Sequence, residues 1–536
     1  MNSVIYNPLQ EFENKYRDFH AGKTDAFFEE LVKKSGVDIE QNRKTVGQYN
    51  EYKENIKDLK KKLTLFKVLR VLMCITVILI PLVIWKTTPK IKDLRVEIEE
   101  ADKKADELLE LAYTQMLSLN NLFGDRDALN LIEETIPLVK FADNFSVEQE
   151  LEMKTNYDFV DDSETEQSSL EVLAGEYNGN PFLFENRLIH EMGTETYHGY
   201  KTIHWTETYR DSNGKIQTRT RSETLHATVT KPKPFYKTQV VLHYGAQGGQ
   251  DLCFSRDATN VEFKNEKEIE KCVKKGEKKL KRMTDDAIKN NSDFMSMSNT
   301  EFEVLFDALN RTNEVQFRTL FTPLAQTNMV DIILSKIGYG DDFNFIKTKR
   351  MNKIVSQHSQ QRVINLKPID YKSYSFDVIK DNFTNKNKEF FKAVYFDFAP
   401  LLSIPVYQER PVQSLKPLPD YSQLYSYKEC EVLANRVDRT LVVHPSTKTE
   451  AILKSKFVRS KNNIDENCIT AYSYDIEKRI DYVTMHGGDG RFHEVPVEWN
   501  DYLPLENDKI LYVADKSLLE HRSYMAEKNG LCIFDL

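Results

Sequence analysis

The sequence predicts an α+β protein anchored by one transmembrane helix near its N-terminus. Residues 67–86, KVLRVLMCITVILIPLVIWK, form an apolar stretch whose flanks repeat apolar residues at helical spacing. From about residue 170 the apolar period changes to two, which is typical of strands. The last third contains short β-branched and aromatic runs separated by turn residues, which indicates a β-rich domain.

The composition is that of a folded chain with several domains. A chain of 536 residues is too long for one core, and 40% hydrophobic content with 11% aromatic residues is ordinary for globular proteins. The net charge of −9 argues against nucleic acid as a partner. The six cysteines include no CxxC pair, so they favour a reducing compartment over a disulfide framework or zinc knuckle. We expect no cofactor and no metal.

The stretch Val68–Trp85 is long enough to cross a bilayer as a helix. At ~1.5 Å per residue it would extend about 27 Å, close to the ~30 Å hydrocarbon core. Its one charge, Arg70, lies near the edge, and lysines flank both ends. The alternative is a buried core helix, but the highly charged segment that follows would cover it poorly. We therefore predict a single-pass anchor at residues 67–86 that binds the lipid bilayer of the cell membrane.

The side of the membrane that holds the rest of the chain stays open. Lysine and arginine are more frequent just before the anchor than just after it, which favours a cytoplasmic N-terminus and an exported bulk. The unpaired cysteines favour a cytoplasmic bulk instead.

Apolar residues on both sides of the anchor recur at three- and four-residue steps. These seams lie within Tyr49–Phe66 and Ile91–Ala112, and Pro89 suits the first turn of the second helix. If the anchor crosses the membrane, the two arms lie on opposite sides, and the seams predict self-association between chains. The alternative is that each arm is an amphipathic helix packed on its own domain.

Composition shifts divide the chain into seven segments. They are an N-terminal helical region with its heptad arm (1–66), the transmembrane helix (67–86), a helical arm (90–155), an acidic linker (156–169), an α+β domain (170–409), a Pro-rich linker (410–422) and a β-rich C-terminal domain (423–536).

A long β-hairpin is predicted around the Asn-Gly turn at 213–214. A turn closed tightly on these two residues places His204 opposite Glu223. In that register His204 and His226 lie on opposite faces, so together with His198 they are not expected to form a metal site.

Residues 266–283, EKEIEKCVKKGEKKLKRM, predict a basic helix in an otherwise acidic chain. Its apolar side consists of Ile269, Cys272, Val273, Leu280 and Met283. Two interpretations stay open for the charged side, a solvated surface or a contact with anionic lipid headgroups.

The loop HGGDGRFH, residues 486–493, offers the only candidates for catalysis. His486, Asp489 and His493 are weak candidates for an acid–base or metal cluster. The alternative is a hairpin tip whose three glycines supply positive φ and whose Asp489 forms the turn. No serine elbow, HExxH or paired cysteine accompanies the loop, so the sequence favours the hairpin tip.

A motif in residues 299–338 resembles an uncharacterised bacterial family. The matching positions are Phe302, Glu303, Phe306, Glu314, Val315, Arg318, Leu320, Thr322 and Pro323. The resemblance covers about residues 170–355. It implies hydrophobic spans near the N-terminus ahead of a cytoplasmic soluble domain of unknown function, with no catalytic residues. The chain departs from the family in having one clear span where the family suggests two.

Two functions from different classes follow from these patterns. The favoured one is a membrane-anchored, non-enzymatic interaction or scaffolding protein with an unknown protein partner. The alternative is a membrane-tethered hydrolase or metal-dependent enzyme centred on the HGGDGRFH loop.

Overall fold

A computed structural model describes residues 5–74, 80–160, 165–210, 212, 214–259, 261–290, 293–412, 418–419, 425–461, 464–514 and 531–534. It confirms the α+β class. The α-helices, in chain order, are α1 (Pro8–Glu11), α2 (Arg17–Ser35), α3 (Ile39–Cys74), α4 (Ile80–Asn120), α5 (Asp127–Thr135), α6 (Val147–Tyr157), α7 (Glu266–Asn290), α8 (Thr300–Phe306), α9 (Glu314–Leu320), α10 (Pro323–Leu334), α11 (Phe376–Leu402) and α12 (Tyr427–Arg436).

The strands form two sheets. They are β1 (Val139–Phe141), β2 (Gln167–Tyr177), β3 (Asn180–Arg210), β4 (Ile216–Gly245), β5 (Cys253–Arg256), β6 (Phe343–Thr348), β7 (Met351–Ser356), β8 (Ile452–Lys461), β9 (Ile464–His486), β10 (Phe492–Ala514) and β11 (Leu531–Phe534). The order in the first sheet is β1-β2-β3-β4-β7-β6-β5, and in the second β11-β10-β9-β8. The β10–β11 pair is parallel, whereas β8, β9 and β10 pair antiparallel.

The chain divides into two compact units, each built from separate stretches. One unit contains Tyr6–Val139 and Asn365–Ala399, and we call it the helical unit. The other, the sheet unit, contains Lys140–Ile364 and Pro400–Leu536 together with Ile5. The predicted linker at 410–422 therefore does not separate two units. Composition could not show this division, because it depends on contacts between distant segments.

The core of the helical unit is aromatic. Phe28 of α2 and Phe123 pack on Phe383 of α11, with ring centroids 5.5 Å apart in both pairs. Helix α2 ends at Ser35 because Gly36 adopts the left-handed region, at φ 63°.

Helix α4 begins earlier than the sequence predicts. It starts at Ile80, so Pro89 lies inside the helix and not in its first turn. The apolar residues before Pro89 are themselves helical, and proline removes only one backbone donor from the series.

No helix in the described part of the chain is both long and apolar enough to cross a membrane. The centre of the predicted transmembrane helix, residues 75–79, and all side chains from 69 to 86 lie outside the described residues.

In the sheet unit, two long hairpins stack on each other. Strands β3 and β4 have 31 and 30 residues, and β9 and β10 have 23 each, so the strands are longer than the short runs predicted for the C-terminal third. A two-stranded ribbon alone is marginally stable in water, so each hairpin needs an apolar partner. Each hairpin supplies that partner to the other through a shared core, described below.

Candidate functional site

Helices α3 and α4 form an antiparallel helical hairpin, and the predicted seams are its interface. Ile56 of α3 is 3% exposed and packs with Ala101 and Ala105 of α4. Alanines opposite a larger residue let the helix axes approach closely, as interdigitated side-chain packing requires. The arms therefore cover each other within one chain.

Polar contacts fix the register of the two arms along their length. Gln115 donates to the Thr45 hydroxyl at 3.0 Å, and the Lys60 ammonium lies 3.4 Å from the Asp102 carboxylate. The last such contact lies next to the apolar stretch, where the Lys90 ammonium is 5.7 Å from the centre of the Phe66 ring. The two ends of the apolar stretch are therefore close together.

A groove runs along α3 toward the apolar stretch. It has a volume of about 710 Å³ and is lined by Lys53, Ile56, Lys57, Lys60, Lys61, Thr64, Leu65, Val68 and Asp102. Leu65 and Val68 are 59% and 49% exposed, which is unusual for aliphatic side chains beside lysines. An apolar floor with a cationic rim is complementary to an amphiphile with an anionic head.

The HGGDGRFH loop is the tip of the β9–β10 hairpin, as the favoured interpretation predicted. His486 pairs with Phe492 across the tip. Behind the tip, β9 and β10 pack on β3 and β4 through a core whose buried members are Ile203, Leu225, Ala227, Val495 and Val497.

Close approach, rather than backbone strain, explains two of the three glycines in this loop. Only Gly490 has positive φ, at 77°, so the prediction of positive φ for all three was wrong. A Cβ on Gly487 would lie 2.5 Å from the Ile203 side chain, and one on Gly488 would lie 2.8 Å from Glu223. The backbone N–H of Gly488 donates to the Glu223 carboxylate at 2.6 Å, which fastens the tip to β4.

The three predicted catalytic candidates do not converge. Nε2 of His493 lies 3.0 Å from each carboxylate oxygen of Asp489, and this bond holds the pKa of Asp489 below its usual value. His486 instead meets the Phe492 ring edge-on, with centroids 5.3 Å apart. The Asp489 carboxylate also accepts from the Arg491 backbone N–H, so its bonding capacity is used in shaping the turn.

The predicted register of the β3–β4 hairpin was wrong by one residue. Ile203, not His204, lies opposite Glu223, because the connection from Arg210 to Ile216 is longer than a two-residue turn. A shift of one residue moves side chains to the other face, so His204 and His226 share one face instead of lying on opposite faces.

That shared face is the solvent side of the β3–β4 hairpin. Nδ1 of His198 and Nε2 of His226 are 2.9 Å apart, and the Tyr200 ring stacks on His226 at 4.8 Å. Nearby, the hydroxyl groups of Thr202 and Thr224 form a hydrogen bond between the two strands, at 3.0 Å. Within the described residues, no three His, Cys, Asp or Glu side chains are placed to hold a metal ion.

Sequence reasoning missed a buried charge cluster in the sheet unit. The Glu185 carboxylate accepts from the Lys428 ammonium at 2.7 Å, from His243 Nε2 at 3.1 Å and from the Ser169 hydroxyl at 2.6 Å. Burial opposes ionisation of Glu185, but Lys428 and His243 outweigh it and hold the pKa of Glu185 well below its usual value. Burial lowers the pKa of His243, so that ring is neutral and donates its Nε2–H.

This cluster is closed to substrates. The side chains of Glu185 and Lys428 are each 3% exposed, and that of His243 is 2% exposed. The three residues come from β3, α12 and β4, so no short motif contains them and only their isolated charges were visible in the sequence.

Lys347 is a second buried charge that the sequence did not reveal. Its ammonium donates to the Gly248 carbonyl at 2.9 Å, and burial lowers the pKa of Lys347 to about 7. Lys347 lies on β6 on the same face as the buried Phe343 and Phe345, four and two residues earlier.

The motif that resembles a bacterial family has a structural role. Phe302, Phe306, Phe317 and Phe321 form one aromatic cluster with Phe254.

Ion pairs and a helix cap account for polar positions of the same motif. Arg311 pairs with Glu303 at 2.6 Å and with Glu314 at 2.8 Å. The Thr322 side chain caps α10 by accepting from the Ala325 backbone N–H, and Pro323 is the first residue of the helix. These positions maintain the fold and expose no reactive group.

Comparison with models of protein families, with curated proteins and with solved structures finds no match to this chain. The predicted membership of a bacterial membrane-anchored family therefore stays a prediction, and the functional conclusion rests on the geometry alone.

Proposed function

We propose that the chain is a non-enzymatic, membrane-attached interaction protein whose anchor is the apolar stretch Val68–Trp85. The observation that supports this most is the packing of α3 on α4, which brings both ends of a highly apolar segment to one end of a helical hairpin. The sequence between these two ends is almost entirely aliphatic, and lipid is the solvent that favours such a segment.

The packing of the arms favours insertion from one face of the bilayer instead of a single pass. In a single pass the arms would lie on opposite sides and could not touch. Helix α3 continues to Cys74 and α4 starts at Ile80, so each leg contributes a short apolar helix. The leg in α3, residues 67–74, has eight residues and reaches about 12 Å at ~1.5 Å per residue. This is less than half of the ~30 Å hydrocarbon core.

The lysine-rimmed groove on α3 supports the same placement. Lys57, Lys60 and Lys61 line it beside the exposed Leu65 and Val68. At the level where the hairpin enters the bilayer, lysines would meet lipid phosphates while the aliphatic side chains meet acyl chains.

We further propose that both units lie on the cytoplasmic side of the cell membrane. The described cysteines Cys253, Cys272, Cys430 and Cys468 are all free, which suits a reducing compartment.

Self-association through Tyr49–Phe66 and Ile91–Ala112 stays a prediction. Their apolar positions already cover each other within one chain, so association would require the arms to exchange partners between chains.

For an unknown protein partner, the solvent face of the β3–β4 hairpin is the surface we favour. Tyr200 is 63% exposed there and lies beside the His198–His226 pair. Exposed aromatic side chains on a rigid strand are typical of contact surfaces.

Flotation of the full-length protein with vesicles tests the anchor. We expect binding to neutral phosphatidylcholine vesicles that is lost in L72D/L82D, because a charge at membrane depth costs about 2.5–3.5 kcal/mol. V96D/L117D is the matched control, since both side chains are about half exposed on α4, at 48% and 55%. Equal flotation of L72D/L82D and wild type would refute the anchor.

An intramolecular cross-link tests insertion from one face. Cysteines in K60C/D102C replace two side chains whose charged ends lie 3.4 Å apart, so we expect a short bifunctional thiol reagent to join them in the vesicle-bound protein. K60C/E110C is the control, because residue 110 lies about 12 Å further along α4 at ~1.5 Å per residue. A single-pass helix would leave K60C/D102C uncross-linked within one chain.

A further inference from the structure

Helix α7 has a continuous row of basic side chains on its solvent side. The row, here called the basic stripe, consists of Lys267, Lys271, Lys274, Lys275, Lys278, Lys281, Arg282 and Lys289, all of which are exposed. At ~100° per residue these positions fall within about 120° of the helix circumference, over a length of about 33 Å. Asp285 is the one acidic residue in the same arc of α7.

The opposite side of α7 packs on its own unit. Leu280 and Ala287 are buried, and Gly276 allows Val304 of α8 to approach, since a Cβ there would lie 2.4 Å from that side chain. The predicted apolar side is thus turned inward. The stripe is the outer surface of a fixed helix, with no part in holding α7 in place.

Most charges of the stripe are uncompensated. In the described part of the chain, Lys274 pairs with Glu270 at 3.7 Å, and Lys289 pairs with Asp286 at 3.6 Å. The residues of the stripe that form no ion pair are Lys267, Lys271, Lys275, Lys278, Lys281 and Arg282. The stripe is therefore a positively charged surface on a chain whose net charge is −9.

Exposed apolar side chains stand at both ends of the stripe. Phe263, just before α7, is 83% exposed, and Ile288 in its last turn is 75% exposed. Neither side chain is used in the core of the sheet unit. A straight, convex row of cations with apolar side chains at its ends matches the headgroup region of a bilayer, where charges and hydrocarbon lie side by side.

We propose that the basic stripe of α7 is a second membrane-contact surface that binds anionic lipid headgroups. It lies in the sheet unit, whereas the α3–α4 hairpin lies in the helical unit, so the two contacts are independent. The hairpin requires hydrocarbon, and the lysines on α3 give it a response to headgroup charge of its own, which substitutions in the stripe leave unchanged. The stripe requires negative charge, and its contribution decreases as salt screens it.

The test uses the full-length protein and two kinds of vesicle. Binding to pure phosphatidylcholine measures insertion of the hairpin. The part of the additional binding to vesicles with ~30% phosphatidylserine that is lost when the stripe is neutralised measures the stripe. We expect this additional binding to decrease about fivefold for each basic residue removed, the equivalent of ~1 kcal/mol per cation near an anionic surface. K271Q/K275Q/K278Q/R282Q should therefore decrease it about 600-fold, fivefold for each of the four substitutions, and keep its binding to phosphatidylcholine.

The matched control is K336Q/K372Q/K478Q/K509Q, which removes the same charge from exposed lysines elsewhere. Equal loss in the two variants would overturn the proposal, because it would show a general charge effect. The additional binding of the wild-type protein to phosphatidylserine vesicles should also vanish at high salt. Additional binding that persists at high salt would overturn the proposal without any variant.

A nucleic-acid arm separates the two classes of polyanion. If a 20-nucleotide RNA binds the wild type but not K271Q/K275Q/K278Q/R282Q, and neither protein binds phosphatidylserine vesicles better than phosphatidylcholine vesicles, the stripe is reassigned to nucleic acid and the lipid proposal is overturned. If the wild-type protein binds phosphatidylserine vesicles but not pure phosphatidylcholine vesicles, the anchor is refuted and the proposal for the stripe is unaffected.

Discussion

Replacing Lys428 with methionine should destabilise the sheet unit more than any surface substitution of the same kind. Methionine keeps most of the volume of the side chain but removes the ammonium 2.7 Å from the Glu185 carboxylate. Glu185 would then keep only the His243 and Ser169 bonds, inside a site where its side chain is 3% exposed. Breaking a buried pair by removing one partner costs about 3–5 kcal/mol, because the remaining charge is left uncompensated.

The loss of stability caused by Lys428→Met should depend on pH. In the wild-type protein the pKa of Glu185 is depressed, so its contribution to stability is present above the unfolded-state pKa of about 4.3 and is lost as the pH falls through its folded value. Without Lys428 the effect of burial dominates, and the pKa of Glu185 rises above the unfolded value. The variant then loses stability as the pH rises above about 4.3, so its deficit should be larger at pH 8 than at pH 4.5.

Urea unfolding followed by tryptophan fluorescence measures this difference. Trp205 and Trp499 both lie in the sheet unit, and the third tryptophan, Trp85, is replaced by phenylalanine in every sample. Lys237→Met is the matched control, because it breaks a Glu191 pair of the same length, 2.7 Å, between exposed side chains of the sheet unit and should leave stability nearly unchanged. A K428M deficit below about 1 kcal/mol, or one independent of pH, would refute the reasoning.

Three further predictions concern the sheet unit. Gly199→Val should lower the free energy of urea unfolding by at least about 1–3 kcal/mol, because a Cβ there would lie 2.2 Å from the Pro496 carbonyl oxygen. The control Gly22→Ala, in open space on α2, should not lower it. Equal effects of the two substitutions would contradict close packing of the two β-hairpins. Burial lowers the pKa of Lys347 to about 7, so the wild-type protein should become more stable as the pH rises from 7 to about 10. Lys347→Met should remove this rise, and an unchanged pH profile of stability would contradict the prediction. Elemental analysis of the purified protein should find no stoichiometric transition metal, and a metal that disappears in His493→Ala would restore the enzyme alternative.

Local patterns predicted much of the fold. The three- and four-residue spacing identified the side chains buried between α3 and α4, because every helix with an apolar stripe must cover it. Thr322 and Pro323 marked the start of α10, and HGGDGRFH marked a hairpin tip, because caps and tight turns depend on residues next to each other in sequence.

The candidate sites were less predictable, since they depend on contacts between distant segments. The spacing that identified the seams could not say that they face each other, which changes the proposed anchor from a single pass to a hairpin. The pairing of His198 with His226 depends on a one-residue register that the Asn-Gly dipeptide suggested incorrectly.

The sequence by itself determined the α+β class, the helical and strand periods, and the position of the apolar stretch. Tertiary structure alone decided which faces meet, how the chain divides into two units, and that Glu185, His243 and Lys428 share one buried site. The physical reason is the separation along the chain over which each interaction acts. Propensity, capping and periodicity act over a few residues, whereas the burial of a charge or the pairing of two arms depends on atoms that the chain brings together from far apart.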